Sequence, residues 1–176
     1  MASSPLSNNP YLFLFFLLAS ITLATGFKFL LAEGKKAHLH FYVHVTLTGP
    51  AATSFIVASI NNDSSSFGDV VVSDNPLTEG PDPGSKLIGR AETLDVIASL
   101  ASRSALTATN FVFTEGKYNG SSLTVLGRDV VRGSPDRTII GGSGRYRMAR
   151  GFMVGKIIKA TGISAVEEVD MYVFHY

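Results

Sequence analysis

The chain has 176 residues, 15 basic and 14 acidic side chains and a formal charge of +1, so composition points to no polyanionic partner. Nucleic-acid binding is excluded on the same ground, because Lys and Arg are spread along the chain with one local concentration only, around Arg145, Arg147 and Arg150. With 45% apolar residues the chain can bury one substantial core, and with no cysteine it has no disulfide, no thiol nucleophile and no Cys-based metal site.

The N-terminus reads as a targeting segment. "YLFLFFLLASITLATG", Tyr11 to Gly26, is an uncharged apolar run ending in the small pair Ala24 and Gly26, which predicts a signal peptide over 1–26 cleaved after Gly26. An uncleaved anchor is the alternative, because apolar character resumes at "FKFLLA". Residues 27–37 read as a flexible linker and 38–176 as the folded domain, exported and free of the membrane once the signal is removed.

Strands follow. "HLHFYVHVTLTG" alternates with period two, setting Phe41, Val43, Val45 and Leu47 against His38, His40, Tyr42, His44 and Thr46. His38 and His40 point the same way about 6–7 Å apart, a spacing used by strand-borne zinc sites. A third ligand is missing locally, so a solvated or interface face is expected and no metal is assigned. "TSFIVASI" and "FGDVVVSD" are further strand runs, and "NPLTEGPDPGSK", Asn75 to Lys86, reads as one long Pro/Gly-rich loop. "ETLDVIASLASRSA" has some helical character but is assigned to strand from its β-branched residues and its neighbours.

"TNFVFTEG" and "SSLTVLGRDV" flank "GKYNGSS", whose Asn-Gly pair favours a two-residue type I′ turn. That hairpin would put Asp129 on the face of Asn110, Val112 and Thr114, leaving Phe111, Phe113 and Leu126 opposite. An outer wall carrying Phe and Leu needs cover, which predicts a homo-oligomer, dimer or trimer. In "GGSGRYRMARG" the glycines 141–144 read as a turn and the following residues as an alternating strand running through "RYRMARGFMVGKII". "EEVDMYVFHY" closes the chain as a last strand. Seven or more strands with hairpin turns indicate a barrel or sandwich.

Nucleotide and hydrolase signatures fail. No phosphate-loop pattern occurs; Arg147 stands where the last glycine of G-x-G-x-x-G belongs, and Arg145 where G-x-S-x-G would end. Two sequons, at Asn62 and Asn119, fall in expected loops of an exported chain and are candidate glycosylation sites.

Four blocks, "LHFYVHVTLTGPAATSFIVA", "FGDVVVSDNPLTEGPDPGSKLIGRAE", "FVFTEGKYNGSSLTVLGRD" and "IIGGSGRYRMARGF", resemble in order and spacing the signature strings of plant dirigent proteins. The resemblance spans nearly the whole mature chain. It implies an all-β fold, an eight-stranded antiparallel barrel of the dirigent and allene-oxide-cyclase-like kind, assembled into homo-oligomers, with a pocket inside each barrel. It further implies a protein of the apoplast or cell wall that orients phenoxy radicals of the coniferyl-alcohol type, made by an external laccase or peroxidase, toward stereoselective lignan formation. Such a protein has no cofactor of its own and oxidises nothing. Some relatives instead cyclise or dehydrate through a quinone methide, which needs a positioned acid.

The resemblance also directs attention to particular residues. The family's acid after the first-strand histidine is Val45 here, in phase with Val43. The second acid is Asp129, in phase with Leu123, Val125 and Gly127, so Val43, Val45 and Val125 are the expected lining side chains. As a pocket acid Asp129 would have its carboxyl pushed upward by burial; as a turn residue it would be solvated. The family's pocket arginine falls in "VVRGSPDRTII", where Arg137 is preferred over Arg132, with an exposed ion pair as the alternative. Three readings follow: the orienting of phenoxy radicals, which is favoured; an acid-assisted quinone-methide cyclase using Asp129; and a wall scaffold with no stereochemical role.

Overall fold

The structure is a computed structural model that describes residues 34–60, 66–102, 104–130 and 136–176. The expected signal peptide, residues 27–33 of the linker and the sequon at Asn62 lie outside the described residues.

The described residues form nine strands: β1 (Lys35–Thr46), β2 (Ser54–Ala58), β3 (Val70–Thr78), β4 (Leu87–Ile97), β5 (Ser104–Phe113), β6 (Ser121–Val130), β7 (Asp136–Ser143), β8 (Arg150–Ala160) and β9 (Ser164–His175). Their order is β1-β9-β8-β7-β6-β5-β4-β3-β2, every pairing antiparallel, and an added β1–β3 pairing closes eight of them into a barrel. The strand β3 is shared at the seam: its C-terminal end meets β1 at Tyr42↔Thr78 and Val43↔Leu77, while its N-terminal part meets β2. His44 Nε2 lies 2.7 Å from Thr78 Oγ1 across this seam. Closure pairs β1 with β3 where they meet, and β2, paired with β3 alone among the described strands, remains as the outer strand of the order.

Several boundaries differ from those read in the sequence. Residues 35–37, expected in the linker, already pair with β9. Asn75–Thr78, expected in a loop, end β3, because Pro76 sits where a ladder position can do without its N–H. Gly141 and Gly142 belong to β7, and the reversal is a 3-10 turn at Gly144–Tyr146, so β8 starts at Arg150 rather than at Arg145.

The connection between β5 and β6 is not a two-residue turn. It spans residues 114–120, includes a 3-10 turn at Gly116–Tyr118, and leaves Asn119 at φ −49°, not the positive φ that a type I′ turn requires. Pairing therefore runs Phe113↔Ser121, Phe111↔Leu123 and Ala105↔Asp129. This differs from the expected register by an odd number of residues, which inverts the face. Asp129 lies inside with Phe111 and Phe113, and the two phenylalanines belong to the core rather than to the outer wall. Apolar residues on that wall are instead Val72, Leu94, Leu126, Phe152 and Tyr172, joined across the strands through Ala108 and Thr138.

Inside, the inward rows become smaller, and on β5 and β9 more polar, toward one end of the barrel. On β1 the inward row runs Leu39, Phe41, Val43, Val45; on β9, from the opposite end, Val173, Met171, Val169, Glu167, Ala165. On β5, Phe113 and Phe111 give way to Thr109, Thr107 and Ala105. The large apolar half forms a packed floor, where Phe41, Phe113, Tyr118 and Tyr146 meet with ring centroids about 5–6 Å apart. The smaller and more polar half leaves a chamber.

Phe113→Ala should cost about 3–5 kcal/mol in chemical denaturation, while Leu126→Ala, at a position 39% exposed, should cost under about 1 kcal/mol. Equal losses at the two positions would restore the register expected from the Asn-Gly pair.

Candidate functional site

The chamber has a volume of about 480 Å³, within the range of small-molecule sites. Val43, Val45, Ala91 and Phe111 give it an apolar side, and Ser73, Thr93, Thr107 and Thr109 a hydroxyl-bearing one. Among the described residues four charged side chains enter it, Asp95 from β4, Asp129 from β6, Arg137 from β7 and Glu167 from β9.

Arg137 is the centre of this group. Its side chain is 6% exposed, and its Nη2 donates to Glu167 Oε1 at 2.9 Å while Nη1 stands 3.6 Å from Asp129 Oδ2. Space for the guanidinium comes from two glycines. A Cβ on Gly127 would come within 3.1 Å of Arg137 Cγ, and a Cβ on Gly155 would overlap the Glu167 carboxyl and lie 3.2 Å from Arg137 Nη2. The backbone at 127 and 155 thus makes the slot in which the ion pair lies.

The acids differ in environment. Asp129 is 44% exposed, so the chamber opens to solvent beside it and is not sealed. Glu167 is pushed above the usual carboxylate range, first by burial and then by the nearby Asp129 and Asp95, against which the Arg137 charge works downward without prevailing. Asp95 is also pushed upward, chiefly by burial; the hydroxyl of Thr107 donates to its Oδ1 and Arg137 attracts it, but Asp129 opposes both.

Of the side chains singled out in the sequence, the structure brings Val43, Val45, Asp129 and Arg137 to one chamber. Val125 is not among its lining residues: it is 0% exposed and packs one level lower in the core with Leu123 and Ile139. Asp129 is within β6 and is not a turn residue. Asp95 and Glu167 were missed, although both were legible. Glu167 is in phase with Val169, Met171 and Val173, and Asp95 with Ala91 and Thr93.

The histidines serve another face. His38 Nε2 and His40 Nδ1 lie 2.7 and 3.1 Å from the same Asp170 Oδ1, and these bonds hold the Asp170 carboxyl below its ordinary value although burial works upward. His44, expected to be solvated, is buried against Thr78, and that burial lowers its imidazole. Asn119 is exposed in the β5–β6 loop.

Because burial raises the carboxyls of Asp95 and Glu167, the folded state holds their protons more tightly than the unfolded chain does. Their contribution to stability is therefore full below about pH 4 and is lost as pH rises through the raised folded values. Asp95→Asn should melt higher than the parent at pH 8, and its melting temperature should fall less between pH 4 and pH 8. Parallel curves for the two proteins would show that Asp95 carries no such penalty.

Comparison with known proteins gives this chamber a family. The dirigent-like protein family matches residues 36–174. The chain is 38% identical to pterocarpan synthase 1 of Glycyrrhiza echinata over 174 residues, covering 92% of this chain and 93% of that one. It is 38% identical to dirigent protein 1 of Arabidopsis thaliana over 145 residues, 80% of each. A solved pterocarpan synthase dirigent protein superposes with a TM-score of 0.77 at 38% identity, covering 82% of this chain and 87% of that one. With its closed antiparallel barrel and these matches along nearly its whole folded length, the chain belongs to the dirigent family.

Proposed function

We propose that the protein takes a planar phenolic guest into the chamber and directs an acid-assisted ring closure through a quinone methide. The observation that carries this reading is the convergence, among the described residues, of three carboxyl groups and one buried guanidinium in a chamber otherwise lined mainly by apolar and hydroxyl-bearing side chains. Holding two radicals face to face requires shape and a few polar contacts. Burying acids is costly, and proton transfer gives that cost a purpose. Similarity to proteins named pterocarpan synthases supports the same direction.

In this reaction the guest carries a hydroxyl group as well as the quinone methide. The hydroxyl oxygen bonds to the methide carbon, the exocyclic double-bond electrons return to the ring, the carbonyl oxygen gains a proton and the hydroxyl loses one. Electrons are neither gained nor lost. Arg137, bridging Asp129 and Glu167, keeps the charge of the chamber in place while the protons move.

A second reading, the orienting of phenoxy radicals supplied by a laccase or peroxidase, is supported by the apolar side at Val43, Val45, Ala91 and Phe111. It puts the protein in lignan formation in the apoplast, where the N-terminal run would send it. The two readings separate in one set of assays. A hydroxylated quinone methide without oxidant should be cyclised by the protein, with the rate falling at least about 100-fold in Asp129→Asn. Coniferyl alcohol with a one-electron oxidant should give racemic dimers with and without the protein; an enantiomeric excess in the presence of protein, with no quinone-methide turnover, would move the assignment to radical coupling. Neither activity would leave a wall scaffold.

The outer belt of Val72, Leu94, Leu126, Phe152 and Tyr172 supports a second copy as its cover, and we infer a homo-oligomer. Sedimentation should show an assembly that Leu94→Lys together with Phe152→Lys converts to monomer. A monomeric parent protein at micromolar concentration would remove the inference.

A further inference from the structure

Asp95 stands apart from the other two acids of the chamber. Glu167 and Asp129 share Arg137, whereas among the described residues no cation lies within ion-pairing distance of Asp95. Its partner is neutral: Thr107, opposite it on β5 and 2% exposed, donates its hydroxyl to Oδ1. That bond fixes the plane of the carboxyl group and fills one oxygen, leaving Oδ2 for a guest.

The charge balance points the same way. Among the described residues, three ionised carboxylates and one guanidinium would give the chamber a net charge of −2. Like charges in one site are relieved by keeping a proton on one of them. The acid that keeps it is the one without a cation. Asp129 has Arg137 and open solvent, Glu167 has Arg137 at 2.9 Å, and Asp95, among the described residues, has the Thr107 hydroxyl as its one bonded partner and feels Arg137 only from beyond ion-pairing distance. Burial, the largest influence on Asp95, acts in that direction too.

We propose that Asp95 is the general acid of the chamber, holding a proton at rest and giving it to the carbonyl oxygen of the bound phenolic guest, while Asp129 accepts the proton of the attacking hydroxyl. The assignment rests on the acid-assisted reading above. In the step, the Asp95 O–H bond breaks as the guest's phenol O–H forms, and the guest's hydroxyl O–H breaks as an Asp129 O–H forms. Asp129, at the open end, then loses its proton to solvent and Asp95 regains one, which restores the site. The groups that face Asp95 and set its titration are Thr107, Asp129, Arg137 and Glu167.

Infrared spectroscopy of the full folded protein at pH 7 should show a protonated-carboxyl component that is lost in Asp95→Asn and kept in Asp129→Asn. Bound 4-nitrophenol at pH 8, yellow as the free anion, should lose its anion band on the parent protein and keep it on Asp95→Asn. With a quinone-methide guest, Asp95→Asn should lower kcat at least 100-fold and change KM less than threefold, and Asp95→Glu should restore part of the rate. The parent's kcat should fall at alkaline pH as Asp95 loses its proton. Thr107→Val, which removes a bond that lowers the Asp95 value, should move that limb to higher pH, a shift that a merely structural role would not produce. An unaltered infrared component in Asp95→Asn, or a kcat within threefold of the parent, overturns the assignment. If no quinone methide is turned over by the parent protein, the acid-assisted reading fails, and the infrared and 4-nitrophenol measurements still decide whether Asp95 holds and gives a proton.

Discussion

A guanidinium almost sealed from water persists only with partners, and most of what is particular to this barrel follows from giving Arg137 its partners. Burying the cation alone would be prohibitive; burying it between Glu167 and Asp129 makes each charge the reason the others are tolerated. Their attraction does not remove the desolvation cost on the acids, which is why Glu167 remains pushed upward although it touches Arg137. The strands that supply these groups, β6, β7 and β9, are held in one ring with β8 between β7 and β9, so the charges meet through the closure of the barrel rather than through any local motif.

The division of the interior into floor and chamber provides the stability that such a cluster requires. Phe41, Leu77, Phe113, Leu123, Met153 and Met171 fill one half and are 4% exposed or less, so the cohesion of the fold is concentrated below the site. The upper half can then carry polar side chains and empty volume without emptying the core. The same arrangement explains why the inward rows become smaller, and on β5 and β9 more polar, toward that half.

How much of this was legible in the sequence depends on whether the information was local. Period-two alternation and turn residues gave most of the strands, and the blocks shared with dirigent proteins gave the closed topology. The register of β5 on β6 was misread because Asn119-Gly120 looks like a tight turn, whereas the loop is longer and folds through a 3-10 turn; the parity of its length, invisible in the residues, decides which face Asp129 takes. β7 was hidden by Gly141 and Gly142, which read as a turn but lie in the ladder. Asp129 and Arg137 could be proposed from the resemblance. Asp95 and Glu167 lie in the inward phase of their own strands, but nothing local marks them out, since a lone acid in a strand is ordinarily solvated.

The slot beneath Arg137 has one more implication. Gly127 and Gly155 contribute no functional group, yet a single methyl at 155 would stand where the Glu167 oxygen lies. The electrostatic character of this cavity is therefore encoded partly by omitted atoms. A relative that retained every ionisable side chain but bore alanine at that point would house the same charges in a different constellation, and an inventory of acids and bases alone would judge the two proteins alike.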